Sequence, residues 1–300
     1  MFRKVKIIAN PAAGNRKGHK NIFNQVVEFF SQNSHQCTLE TTLKRGDAHA
    51  YAQSAVEKNV DVVVVVGGDG TINEAGSALI NSETVMGIVP SGSGNGLART
   101  LRLPLGPEEA CKIMTPDNII KMDVGKANER YFFSVVGFGF DAQVGKCFDS
   151  FGRRGPLPYF YLSAREYLTY KPERVVLEFN DTSMQIAPFI VAAANGQQYG
   201  NNAVIAPQAK VDDGLLDLCI VHQASFLNLF EALPKLFRGK FEEYSGADFY
   251  KTQRLCVERA AAGYINLDGE AVLEEAIVDI TVLPNSLSIF APSTTSGATE

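Results

Sequence analysis

Five consecutive valines, Val62–Val66, run directly into Gly67-Gly68-Asp69-Gly70-Thr71, and this junction limits the possible folds of the chain more than any other stretch. A β-branched run of that length suits a strand buried on both faces, as in a parallel sheet covered by helices. Three glycines around one aspartate then bring bare backbone close to a neighbour. Thr71-Ile72-Asn73-Glu74 opens a helix whose exposed N–H groups favour an anion. A tight strand-to-helix turn without any ligand is the other reading of the same residues.

The flanking sequence alternates in the same way. Val5–Ala9 reads as a strand, Lys17–Phe30 as a helix (Ile22, Val26, Val27, Phe30), Cys37–Thr41 as a strand, and Ala48–Glu57 as a helix behind Gly46-Asp47. A helix from Thr71 to about Ile80, a strand Val85–Val89 and a short helix after Gly96 follow. Strands alternating with helices predict an α/β domain with a parallel sheet over residues 1–124. Ligands of such sheets bind in the loops at the carboxyl ends of the strands.

Beyond Met122 the texture changes. Tyr131–Val136, Val175–Phe179, Ile186–Asn195, Leu215–Val221 and Val278–Leu283 are strand-like, and Tyr159–Tyr170 and Ser225–Phe237 are helical. A second, β-rich domain over residues 125–291 is expected, a sandwich of mostly antiparallel sheets. The last strand, Ser288–Phe290, can return to either domain, and the small, polar tail 292–300 has the composition of a disordered segment.

Three hundred residues, 45% of them hydrophobic, suffice for two globular domains. A formal charge of −5 argues against a dedicated nucleic-acid binder. Cys37, Cys111, Cys147, Cys219 and Cys256 are scattered without a CxxC pair, which fits free thiols in a reducing cytoplasm. The four histidines are equally dispersed. MFRKVKIIANPAAG reads as a first strand rather than a signal peptide. No apolar stretch approaches the ~18–20 residues that span a bilayer. The expectation is a cytoplasmic protein, at most peripheral at the inner membrane surface, with a homodimer admitted as its oligomeric state.

Three loops of the first domain share one character. Asn10-Pro11-Ala12-Ala13-Gly14, Gly67–Thr71 and Ser91-Gly92-Ser93-Gly94-Asn95-Gly96 each follow a strand and precede a helix. All are small enough for phosphate oxygens to reach backbone donors, and three such loops at one sheet edge point to a polyphosphate site. GxxxxGK[ST] is absent. Gly92-x-Gly94-x-Gly96 has the wrong spacing for a dinucleotide fingerprint and does not open the first βα unit. Phosphoryl transfer needs positioning and charge neutralisation more than covalent help. Ser93 and Thr71 can donate hydroxyls to phosphates, Asn10 and Asn73 can order the turns or the nucleotide, and Asp69 can hold Mg²⁺ directly or through water.

The second domain carries two acidic turns, Lys210-Val211-Asp212-Asp213-Gly214-Leu215 and Asn266-Leu267-Asp268-Gly269-Glu270. Each reads equally as an Asp-Gly turn or hairpin connection. Acids flanking a glycine can also aim a carboxylate into a cleft as a general base.

NPAAG, GGDGTINE, PSGSGNGLA, GFGFDA, AAANGQQYGNNAVIAPQAKVDDGLLDL and the late LDGE occur in that order. Together they resemble the diacylglycerol kinase catalytic-domain family, which includes sphingosine kinases, ceramide kinases and soluble bacterial lipid kinases. The resemblance covers residues 3 to 290 or so. GGDGT alone is shared with NAD kinases and relatives of phosphofructokinase; the later motifs carry the lipid branch. The resemblance implies two domains with Mg-ATP between them and transfer of the γ-phosphate to a lipid hydroxyl at a membrane surface. It assigns nucleotide binding to Asn10–Gly14, to the turn from Gly67 and Gly68 through Asp69, Gly70, Thr71, Ile72 and Asn73 to Glu74, and to Ser93 and Thr42. It assigns a structural Mg²⁺ to Lys210, Asp213 and Leu215, the first and last through backbone carbonyls. Glu270 matches the proposed proton acceptor with Asp268 beside it, and Asp69 joins the Mg-ATP network as a third catalytic candidate, the acid matching it in sphingosine kinases having also been proposed as the base.

The chain departs from the family pattern where Ser93 and Asn95-Gly96 replace a threonine and Asn-Asp, and where Gly200-Asn201-Asn202 replaces three glycines. Lipid preference is therefore not carried over. Phe148–Tyr170 and Ser225–Phe241 combine aromatic and basic residues that suit a bilayer interface, or core packing. A kinase of a soluble alcohol such as NAD, and a nucleotide- or lipid-binding regulator without catalysis, are the other function classes. Retention of Asp69, Asp268 and Glu270 weighs against the regulator.

Overall fold

The computed structural model describes residues 2–13, 19–33, 36–151, 165–167, 169–222 and 226–292. The chain divides into two compact units, Met1–Met122 with Asn285–Glu300, and Asp123–Pro284.

The first unit is built on strands β1 (Lys4–Ala9), β2 (Gln36–Thr41), β3 (Val62–Gly67) and β4 (Val85–Pro90), all parallel and ordered β2-β1-β3-β4. The helices are α1 (His19–Asn33), α2 (Asp47–Glu57), α3 (Asp69–Leu79), α4 (Gly96–Thr100) and α5 (Pro107–Lys112). Every residue of β3 and β4 is buried, whereas β2, at the end of the order, is largely exposed. Burial on both faces is why the valine run shows no alternation. Val62, Val64 and Val66 pack with Val26 and Phe30 of α1 and Ala110 of α5. The intervening Val63 and Val65 point to the opposite face of the sheet. Ala48, Ala52 and Ala55 form the buried side of α2, small enough for close packing on α3.

The second unit contains β5 (Ile119–Ala127), β6 (Arg130–Phe132), β7 (Val135–Gly139), α6 (Phe140–Phe151), β8 (Val175–Phe179), β9 (Thr182–Ile186), β10 (Ile190–Ala194) and β11 (Leu216–Val221). It continues with α7 (Phe226–Phe237), β12 (Ala247–Thr252), β13 (Arg254–Arg259), β14 (Gly263–Leu267), β15 (Glu270–Glu274) and β16 (Ile277–Phe290). β5 starts and β16 ends within the first unit. One layer runs β16-β13-β8-β9, the other β12-β11-β10-β7-β14-β15, with antiparallel neighbours throughout. Between them lie Val136, Phe138, Leu218, Ile265, Leu177, Leu255 and Ile280 among others. The molecule is thus an α/β unit with a parallel sheet and an antiparallel β-sandwich, the fold class read from the sequence. The five cysteines are free thiols. No helix among the described residues is long and apolar enough to cross a membrane.

Several element boundaries differ from the sequence reading. Tyr131–Val136 is two strands, because the N–H groups of Phe133, Ser134 and Val135 turn to the carboxylate of Asp268. Ile186–Asn195 is also two strands, interrupted at Pro188, which has no N–H to pair. Val278–Leu283 and Ser288–Phe290 belong to one strand, and Ile289 pairs with Met86 of the parallel sheet. α1 continues to Asn33. Residues 17–18, 159–164, 168, 225 and 293–300, to which helical or tail readings extended, lie outside the described residues.

Candidate active site

The strand order places β1 between β2 and β3, so the connections from β1 and β3 leave toward opposite sides. That is the switch point where open parallel sheets bind ligands. Ala9 is level with Val66, and Gly67 with Pro90, so the three glycine-rich loops leave the sheet at the same height. Asn10 joins the first two: its Nδ2 donates to Thr71 Oγ1 at 2.8 Å, and its Oδ1 accepts from the Ala12 N–H at 2.9 Å. Pro11 and Ala12 are exposed and Ala13 is half-buried. Gly14 lies outside the described residues.

The second and third loops touch backbone to backbone. A Cβ built on Gly92 would stand 2.6 Å from the Cα of Gly68, and one on Gly68 would stand 3.0 Å from the Cα of Gly92. Glycine is required at both by this approach. Asp69 bridges the same two loops, its Oδ1 accepting from the Gly96 N–H at 2.7 Å. Its other oxygen faces Gly94, where a Cβ would come within 2.9 Å. Asn95, at φ 51°, accepts from the Gly92 N–H and donates back to its carbonyl. Gly70, Asn73 and Glu74 are half-buried on the first turns of α3, and Ile72 is in the core, so its side chain serves packing. Ser93 is exposed at the loop tip. Thr42 is buried beside β1, its N–H donating to the Ala9 carbonyl at 2.9 Å. Sequence reasoning passed over Ser91, whose buried Oγ has no hydrogen-bond partner among the described residues; its place in SGSGNG was the available signal.

In the second unit, Asp268 and Gly269 both have positive φ, 51° and 89°, and make the two-residue turn between β14 and β15. This is the hairpin geometry that Asp-Gly favours. Asp268 Oδ1 accepts from the Ser134 and Val135 N–H groups at 2.8 and 3.1 Å, and Oδ2 from the Phe133 N–H at 2.8 Å. Asp268 is therefore a positioning residue that ties the hairpin to the β6–β7 corner. Glu270, half-buried, is the first residue of β15 and pairs with Leu267 across the turn.

Beside this hairpin is a buried acid. Asp141, at the start of α6 and 4% exposed, accepts from the Tyr199 hydroxyl at 2.9 Å and hydrogen-bonds Asn266. It occupies the space that a side chain at residue 137 would fill, so Gly137 is required there. Burial pushes its carboxyl up to about 7, against the pull of those hydrogen bonds. Asp141 lies within GFGFDA, yet the motif as read singled out no residue in it.

The 210–217 turn is braced by Asp123, 0% exposed, whose Oδ2 accepts from the Gly214 N–H at 2.6 Å. Asp213 Oδ1 accepts from the Leu215 N–H at 3.2 Å, and its Oδ2 accepts from Lys251 Nζ at 2.8 Å. The same ammonium donates to Asp217 Oδ2 at 3.0 Å. Lys210 is exposed and Leu215 half-buried. Mg²⁺ takes six oxygens in near-octahedral geometry. Of the donors assigned to it, Lys210 and Leu215 would supply neutral main-chain carbonyls and Asp213 the one carboxylate, and the Lys251 ammonium already lies 2.8 Å from that carboxylate, so as folded an ion there would compete with the ammonium for Asp213.

Residues 4–127 match the family described as diacylglycerol kinase catalytic domain, and residues 134–291 the YegS C-terminal NAD kinase beta sandwich-like domain. The chain is 31% identical over 264 residues to a protein named Probable lipid kinase YegS-like from Chromohalobacter salexigens, covering 86% of this chain and 85% of that one. It is 29% identical over 281 residues to a diacylglycerol kinase of Bacillus subtilis, covering 90% of each. A crystal structure of a diacylglycerol kinase from Bacillus anthracis superposes with a TM-score of 0.74 over 97% of both chains at 23% identity, a likeness of fold.

Proposed function

Since the chain belongs to the diacylglycerol kinase catalytic-domain family, kinases that phosphorylate an alcohol, we propose that it transfers the γ-phosphate of ATP to a lipid hydroxyl. Diacylglycerol, a sphingoid base or a related lipid is the acceptor. The observation that carries this reading is the set of three glycine loops, level at the switch point and joined through Asn10–Thr71 and Asp69–Gly96.

The loop N–H groups, with Thr71, Ser93 and Thr42 around them, hold the phosphates, and Asp69 keeps the second and third loops in register. Asp69 would hold the Mg²⁺ of the bound nucleotide, directly or through water, and that ion would supply neutralisation of the phosphate charge. Glu270 accepts the acceptor's hydroxyl proton as its oxygen bonds to the γ-phosphorus and ADP leaves. Asp268 holds Glu270's hairpin in place.

Contact with the bilayer is assigned to α7. Phe230, Leu233 and Phe237 are 70%, 42% and 39% exposed and share one helical stripe, with Arg238 and Lys240 following. In the other aromatic stretch, Tyr167 and Tyr170 instead pack with Phe140 and Phe189; its residues 152–164 and 168 lie outside the described residues. Phe230→Ser should reduce sedimentation with vesicles while leaving micellar activity intact. Equal sedimentation of the variant would remove α7 from the interface.

The decisive assay follows label from γ-labelled ATP and Mg²⁺ into a panel of lipids in mixed micelles, with NAD and water as controls. Label in one lipid class is expected. Label in NAD alone would replace the lipid with a soluble acceptor. Nucleotide binding without transfer to anything would replace the kinase with a binding protein.

A further inference from the structure

We propose that Lys251 is the resident cation of the 210–217 turn, and that the turn needs no divalent metal. Lys251 lies on β12 directly opposite Asp217 on β11, so the two face each other as a cross-strand pair. Asp213, four residues before Asp217, folds back through the turn at Gly214, whose φ is 70°. The ammonium thus lies between two carboxylates, 2.8 Å from Asp213 and 3.0 Å from Asp217. Its main chain is pinned as well, because Asn180 Nδ2 donates to the Lys251 carbonyl at 2.7 Å.

Asp213 and Asp217 would repel each other if left uncompensated, and Asp217 is largely buried, where an unpaired charge is costly. One cation within hydrogen-bond reach of both resolves this. A divalent ion on Asp213 would have to displace the ammonium or lie beside it, against like-charge repulsion. Lys251 therefore positions the turn through charge. This role is independent of what the protein phosphorylates.

The test uses the full-length protein without nucleotide, with metal content and melting temperature as readouts. The wild type is expected to carry no stoichiometric divalent ion and to melt at the same temperature in EDTA and in MgCl₂. Lys251→Met should melt several degrees lower and Lys251→Arg close to wild type. Adding Asp217→Asn to Lys251→Met should recover part of the loss, because the uncompensated carboxylate is gone; a packing role would make the two losses add. One divalent ion per chain, a wild-type melting temperature that falls in EDTA, an unaffected Lys251→Met, or additive losses would each overturn the proposal. If Lys251→Met does not fold, the wild-type metal measurements and the double variant still decide.

Discussion

The glycine loops of the first unit and the acidic turns of the second use opposite materials. The loops work by removing side chains: Gly68 and Gly92 let two backbones meet, and Asp69 is the acid that joins their loops. The turns work by adding charge and then tying it down. Asp123, Asp213 and Asp268 each accept from backbone N–H groups, and Asp217 takes Lys251. Carboxylates that look catalytic in a sequence are here mostly braces, and Glu270 stands on the hairpin that Asp268 ties down.

Substitutions can break or sharpen this contrast. The largest effect is expected at Asp69. Asp69→Asn keeps an acceptor for the Gly96 N–H but loses the charge, and activity should fall about 100-fold or more with the fold retained. Circular dichroism alongside turnover checks both parts; an active variant would dissolve the loop site. Glu270→Gln should lower kcat by about 10²–10⁴ while nucleotide affinity stays level. Loss of both together would make Glu270 a brace like its neighbours.

Asp268→Ala orphans three backbone donors and should cost about 3 kcal/mol in denaturant unfolding. A loss of activity at wild-type stability would instead return Asp268 to the chemistry. The smallest effect is a change of slope. The Asp141 carboxyl has its folded value raised from 3.8 to about 7, so the folded state holds a proton there that the unfolded state releases. Its contribution is complete below the unfolded value and is lost as pH rises through about 7. Asp141→Asn should therefore flatten the fall in stability across that window. An unchanged pH profile would mean that Tyr199 and Asn266 keep the group ionised.

Much of this architecture is legible in the sequence because its causes are local. A run of five valines is apolar at both parities, so it declares a two-faced strand without reference to the rest of the chain. Asp268-Gly269 declares a turn because few other pairs accept two positive φ values in succession. β5, β12, β13, β14, β15 and all but the last residue of β9 escaped because they lack that signature. β15, Glu270–Glu274, has no fully buried residue, and β12 sets the aromatic pair Phe249-Tyr250 between the charged Asp248 and Lys251.

What the sequence by itself determined, then, is the parallel-sheet unit, the three loops at its strand ends, and the turn that presents Glu270. Only the tertiary structure decided which distant partner each of these acids meets. Asp268 meets Phe133 from 135 residues away, Gly214 meets Asp123 from 91, and Lys251 meets Asp213 from 38. Strand burial and turn conformation depend on neighbouring residues, whereas the partner of a carboxylate depends on which distant backbone donor or ammonium the fold carries to within about 3 Å of it.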